Sequence, residues 1–269
     1  MNHPATAYAL VTGASSGIGE SFARRLAGEG RSLVLVARSA DRLSALAGEL
    51  ARARGVRALA LPADLADPTA PARIFAETEG RGLPVDLLVN NAGFGTCGEF
   101  ARLPAATELE LLRVNVLALV DLTHRFLVPM LARRAGAIVN VASTAGFQPV
   151  PYHATYAASK AFVLNFSQAI AEEVRGQGVT VLALCPGTTR TPFFDRAGID
   201  LARSDWRMEE PEAVVETALR ALRRRNTLTI SGWLNRLMIQ SQRLAPRALV
   251  ARAAATAMRA RVGRAGGSY

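Results

Sequence analysis

The chain has 269 residues, of which 50% are hydrophobic and 20% charged, and its formal net charge is +10. This length suits one large α/β domain, and the apolar content is ample for a core. Two cysteines, Cys97 and Cys185, in unrelated contexts exclude a disulfide framework and a cysteine-built metal centre, and the basic excess lacks the interleaved aromatics of a nucleic-acid surface.

Residues 1–7 have neither the basic start nor the apolar run of a secretion signal. No apolar run reaches the roughly 18 residues of a spanning helix, and two cysteines without redox or metal spacing lead us to expect a reducing cytoplasm. A strand at 8–11 runs into Thr12-Gly13-Ala14-Ser15-Ser16-Gly17-Ile18-Gly19, and a helix at 18–28 follows. Glycines there let the backbone turn sharply and approach a pyrophosphate without an intervening Cβ. The helix start turns its free N–H groups and positive dipole end toward the phosphates. Such a turn between a first strand and a first helix points to a bound dinucleotide.

A strand at 32–37 ends in Ala37, Arg38 and Ser39. An acidic residue at that end would hold a ribose 2′-hydroxyl and select NAD, whereas Arg38 offers its planar fork to a 2′-phosphate. NADP(H) is therefore the expected cofactor, with NAD(H) possible. A helix at 41–54 and a strand at 56–61 lead to Asp64 and Leu65. Asp64 is placed either to accept from an adenine amino group or to cap a helix. A helix at 71–79, a strand at 86–90 and the turn Asn90-Asn91-Ala92-Gly93 come next, then one long helix at 107–133.

A strand at 137–141 leads to Ser143, and a helix at 155–176 carries Tyr156 and Lys160 on one face, four residues apart. Lys160 is the only lysine in a chain whose other cations are all arginine. A neighbouring ammonium favours a phenolate and lowers a tyrosine pKa toward neutrality, which makes a general acid or base. The Ser143 hydroxyl is suited to donate to a substrate oxygen as charge develops. A strand at 179–185, Pro186-Gly187, a helix at 211–224 and a strand at 228–230 complete the alternation. Strands and helices taking turns predict an α/β, Rossmann-like doubly wound parallel sheet of about seven strands. Residues 1–232 form the dinucleotide-binding catalytic domain, and 233–269 a C-terminal extension whose two amphipathic helices are divided by Pro246. Those helices read first as a pair packed on the substrate side. The alternative is a basic amphipathic surface that docks a dinucleotide-binding scaffold on a membrane or an acyl carrier.

Taken in order, residues 12–19, Asp64-Leu65, residues 90–93, Asn115, Ser143, residues 156–160 and Pro186-Gly187 resemble the short-chain dehydrogenase/reductase family in its single-domain branch. The resemblance spans residues 7–230 and implies a carbonyl–alcohol oxidoreductase. It implies Tyr156 as acid/base, Ser143 orienting the carbonyl, and Lys160 on the nicotinamide ribose. It further implies Asn115 at a helix break holding a proton-relay water, Asn91, Ala92 and Gly93 against adenosine, and Thr189 and Thr191 facing the carboxamide. A homodimer or homotetramer through the helices 107–133 and 155–176 is implied as well. Residues 232–235 and the helices after them are similar to bacterial relatives of hydroxysteroid and long-chain 3-oxoacyl reductases, which implies a lipophilic substrate.

His153, Phe193 and Phe194 are candidates for the substrate pocket, and Trp206 belongs to the same lid stretch. Each has an ordinary packing role as its rival. His124 reads as structural, and Cys97 as a bystander at the site's border.

Overall fold

The structure is a computed structural model that describes residues 7–199, 208–242 and 245–259. Seven strands make one sheet: β1 (Tyr8–Thr12), β2 (Ser32–Ala37), β3 (Ala58–Pro62), β4 (Val85–Asn90), β5 (Gly136–Val141), β6 (Val179–Cys185) and β7 (Leu228–Ile230). Their order is β3-β2-β1-β4-β5-β6-β7, and every pairing is parallel. The chain winds outward from β1 to β3, then crosses back to β4 and winds the other way. The reversal leaves a crevice at the carboxyl ends of β1 and β4, where ligands of such sheets bind.

Successive residues of a strand face opposite sides, so both faces of this sheet need a helical cover. Ala9, Val11, Leu33 and Leu35 pack with α1 (Gly17–Gly28), α2 (Ala40–Arg54) and α8 (Pro211–Arg223). Tyr8, Leu10, Val34 and Val36 belong to the opposite core, with α3 (Ala70–Glu77), α5 (Ala118–Arg133) and α6 (Ala154–Glu173). The remaining described helices are α4 (Ala105–Leu112), α7 (Phe193–Ala197), α9 (Trp233–Gln242) and α10 (Arg247–Arg259).

Several boundaries and placements differ in detail from the expectations. The third strand begins at Ala58, not 56, and lies at the sheet edge, where Leu59 is 41% exposed. The helix expected at 107–133 carries the break that the resemblance implied at Asn115: a π-helical turn, Arg113–Leu117, where Ala118 N–H donates to Arg113 C=O. The composite Ala105–Arg133 is long and apolar enough to cross a membrane by length and composition, although charged residues interrupt it and no continuous apolar run reaches 18 residues. Leu122, Phe126 and Met130 pack in the core beneath the sheet, so it serves as a core helix. His124, expected to be structural, is exposed on α5. Trp206 lies outside the described residues. The break at Pro246 falls between α9 and α10 as expected.

A buried polar ladder crosses the sheet. Asn90 and Asn140 are register partners on β4 and β5. Asn90 Nδ2 donates to Asn140 Oδ1 (2.9 Å) and Thr123 Oγ1 (3.1 Å), and Asn140 Nδ2 donates to Ser167 Oγ (3.0 Å). The ladder ties α5 and α6 to the two strands that carry the site. Replacing Asn140 by Ala takes one of two acceptors from the Asn90 amide and the donor from Ser167 Oγ, which keeps its own bond to Val163 C=O (2.6 Å), and a lost buried partner costs about 1–3 kcal/mol. Urea unfolding of Asn140→Ala is expected to show a loss of at least that size.

Candidate active site

A cleft of about 990 Å³ opens at the carboxyl ends of the strands. Its wall includes Gly13, Ser15, Ser16, Gly17, Ile18, Arg38, Ser39, Asp64, Leu65, Asn91, Ala92 and Gly93. It continues past Ser143, His153, Tyr156, Lys160, Pro186, Gly187, Thr189, Thr191, Phe193 and Phe194. Of the expected set only Gly19 and Asn115 stand behind the wall.

At one end the turn after β1 is stapled to the end of β4. Thr12 Oγ1 accepts from Asn91 N–H and Ala92 N–H (both 3.0 Å), and Asn91 Nδ2 donates to Thr12 C=O (2.9 Å). Gly13 has φ +65°, and a Cβ there would lie 2.8 Å from Asn91 Nδ2. A Cβ on Gly19 would collide with the carbonyl of Gly13, so Gly19 serves the close packing of α1 under the turn and does not touch the cleft. The Asn91 amide, expected against adenosine, is engaged with the backbone of Thr12. Bare backbone here and the free N–H groups of α1 make a cradle that fits a pyrophosphate. Asp64 does not cap a helix: its Oδ1 accepts from Ala66 N–H (3.0 Å) in a local turn. Arg38 is largely exposed at the cleft edge, and its Nη1 lies 3.6 Å from Glu110 Oε1.

At the other end α6 comes close to the turn after β5, because a Cβ on Gly146 would lie 2.7 Å from Lys160 C=O. That approach sets the Ser143 hydroxyl beside the Tyr156 phenol, where it favours the ionised form. Lys160 Nζ is 5.7 Å from the Tyr156 ring centre and donates to Val141 C=O (2.7 Å). Asn115 holds this face from behind. Its Oδ1 accepts from Phe94 N–H (3.1 Å), and its Nδ2 donates to Phe94 C=O (3.0 Å) and Ser159 Oγ (3.1 Å). His153 stacks 4.3 Å from Tyr156, with Nδ1 hydrogen-bonded to Thr96 C=O, and Phe193 lies 5.2 Å away on another side.

Burial sets the charges here. Desolvation pushes the Tyr156 phenol up to about 12, against the pull of the Ser143 hydrogen bond. This reverses the expected lowering by Lys160, because the same dry pocket pulls that ammonium down to about 8. Burial likewise lowers His153, against the attraction of Glu108. Both carboxylate oxygens of Glu108 are buried without a hydrogen-bond partner among the described residues.

Sequence reasoning missed several wall residues. Glu110 meets Arg38 across distant elements, so no local pattern announces it. Trp233, Leu234 and Met238 of α9 and Ala254, Ala257 and Met258 of α10 close the catalytic end. The spacing of 254, 257 and 258 was the available signal. Asn235 packs on Gly187 and donates to Ser231 C=O (2.7 Å), which anchors α9 there. Arg259 Nε donates to Tyr152 Oη (3.1 Å) beside α10.

A family profile described as short chain dehydrogenase matches residues 7–201. The chain belongs to that family. A ketoacyl reductase of Nostoc sp. is 32% identical over 230 residues, covering 82% of this chain and 77% of that one. The solved short-chain dehydrogenase from Sphingobium yanoikuyae in complex with NADPH is 39% identical, with TM-score 0.79 over 83% of this chain and 87% of that one. A bulky-bulky ketone specific alcohol dehydrogenase from Comamonas testosteroni is 31% identical, with TM-score 0.77 over 91% of this chain and 94% of that one. This short-chain dehydrogenase is accordingly an oxidoreductase of a family that binds NAD(P).

The buried lysine gives the dehydrogenase a pH signature. Its folded pKa of about 8 lies below the ordinary 10.5, so between these values the unfolded chain holds more protons and stability rises with pH. The rise is on the order of 3 kcal/mol. The buried Cys185 thiol and the Tyr156 phenol, both pushed up to about 12, act in the opposite sense above about pH 9, so the readout is a difference: in urea titrations from pH 7 to 10.5 the stability of the wild type relative to Lys160→Met is expected to rise. Parallel curves would contradict a depressed Lys160.

Proposed function

We propose that the chain interconverts a lipophilic ketone or aldehyde and its alcohol, using NADP(H), with Tyr156 as the acid/base. The observation that carries this reading is the meeting of Ser143, Tyr156 and Lys160 in one cleft whose far end is the glycine cradle. Gly13, Ser15, Ser16, Gly17 and Ile18 would hold the pyrophosphate, with Gly19 packed beneath. Arg38 and Ser39 would take the 2′-phosphate. Asp64, Leu65, Ala92 and Gly93 would flank adenosine. Lys160, Pro186, Gly187, Thr189 and Thr191 would surround the nicotinamide ribose and carboxamide. When bound, the nicotinamide gives hydride to the substrate carbon or takes it away.

The chain's own residues supply the proton and the orientation. Ser143 donates to the substrate oxygen and fixes it beside the phenol. A phenol raised to about 12 is fully protonated at neutral pH, so Tyr156 is ready as the acid in the reductive direction. Lys160, drawn down to about 8, is poised to exchange a proton near working pH. Asn115 keeps the Phe94 backbone and Ser159 in place behind these groups. Phe193, Phe194, Trp233, Leu234, Met238 and Met258 wall the catalytic end, which favours apolar substrates. The ketoacyl and bulky-ketone relatives support that class.

NADP(H) over NAD(H) is supported by Arg38 at the cleft edge, by the missing carboxylate at the end of β2, and by the relative solved with NADPH. A pure scaffold has no use for Ser143, Tyr156 and Lys160 gathered in one cleft. Leu109, Leu117, Val128 and Phe162 on α4, the π-turn, α5 and α6 are exposed, and we read them as a homo-oligomer contact.

Tyr156→Phe is expected to lower kcat for ketone reduction about 10²–10⁴-fold while NADPH still binds. Intact turnover would remove Tyr156 from the mechanism. Arg38→Ala is expected to weaken NADPH about 10–100-fold and to leave NADH within about twofold, as loss of a charge-assisted contact predicts. Titration of both nucleotides against both proteins reads this out, and equal losses would refute the 2′-phosphate role.

A further inference from the structure

All 22 carboxylates of the chain lie in residues 1–216, where 21 cations nearly balance them. Eleven arginines and no carboxylate follow, so the whole net charge resides in residues 217–269. The same segment holds an unusual apolar surface. Trp233 (68% exposed) and Leu237 (61%) form one row on α9, and Leu234 and Met238 form a second beside it. Leu249 on α10 is 55% exposed, while the buried side chains of α9 and α10 are Ile239 and Met258 alone among those described. Arg236, Arg247, Arg252 and Arg259 are exposed on the same two helices, and none meets a carboxylate among the described residues. Trp233, Leu234 and Met238 also line the cleft, so this surface runs without a break into the mouth of the site.

We propose that α9 and α10 dock the protein on an anionic lipid bilayer, with the mouth of the cleft turned to the lipid. Apolar side chains at helical spacing beside arginines suit the boundary between headgroups and acyl chains, and tryptophan favours that depth. The arginines supply the attraction to lipid phosphates. An acidic carrier protein would answer the charge but leave large apolar side chains without a matching phase. The inference rests on the lipophilic-substrate reading: a water-poor ketone enters the cleft from the bilayer.

The test is sedimentation of the full chain with vesicles of phosphatidylcholine alone or with 30% phosphatidylglycerol, at low and high salt. The wild type is expected to bind the anionic vesicles and to be released by salt and by removal of the anionic lipid. Leu237→Ser/Leu249→Ser and Arg247→Glu/Arg252→Glu lie off the cleft wall. Each is expected to lower the partition coefficient at least about tenfold, with turnover of a small water-soluble ketone unchanged. Three outcomes overturn the proposal: no vesicle binding by the wild type, binding equal in both variants, or an apolar variant that only dissociates an oligomer by light scattering. Retention by an immobilised acidic acyl carrier without any vesicle binding also overturns it. Vesicle binding without ketone turnover would strike the catalytic reading and leave the docking surface standing.

Discussion

Everything in this molecule depends on how closely the backbone after β1 approaches the end of β4. Four hydrogen bonds join Thr12 and Gly13 to Asn91 and Ala92 there, the weakest from Asn91 Nδ2 to Gly13 C=O (3.4 Å). No side chain fits between them, because Cβ atoms at Gly13 and Gly19 would meet Asn91 or the turn itself. The crevice of a doubly wound sheet exists wherever winding reverses. Here its floor is left as bare peptide, and α1 is aimed at it. A crevice floored by side chains would have no room for phosphate oxygens.

The catalytic end depends on a second close approach, that of α6 to the turn after β5 at Gly146. The ladder from Asn90 through Asn140 to Ser167 fixes the same helix from below. Asn115 fixes it from the side through Ser159, whose hydroxyl donates to Tyr156 C=O (2.7 Å). The π-turn belongs to this arrangement: inserting a residue into the helix re-aims Asn115 at Phe94 and Ser159. Rigid support on three sides lets a phenol and an amine be desolvated together without the pocket collapsing.

Much of this was legible in the chain. Alternating apolar runs gave the seven strands, and the glycine turn and the Tyr156/Lys160 spacing pointed to both ends of the cleft. What escaped belongs to contacts between distant elements. Glu110 opposite Arg38 has no local signature, and the α10 wall is signalled only by the helical spacing of 254, 257 and 258. The edge position of β3 is a matter of sheet order, which an apolar run does not record. The direction of the Tyr156 shift was misread for a related reason: spacing shows that a lysine is near, but not that both groups are dry. Asn91 and Gly19 were assigned to the ligand because a motif marks a place, while its members divide between contact and scaffolding.

Lys160 has a consequence for covalent chemistry. It is the only ε-amine in the chain and is 5% exposed, in the cleft wall. Arginine stays protonated and resists the acylating reagents that mark lysine. The exterior therefore offers acyl transfer no side-chain amine, however basic it is. An amine drawn down to about 8 has a far larger unprotonated fraction at neutral pH than an ordinary lysine. Beyond the α-amino group, amine acylation of this protein amounts to a probe of one buried position, and protection from it measures how tightly the cleft is filled.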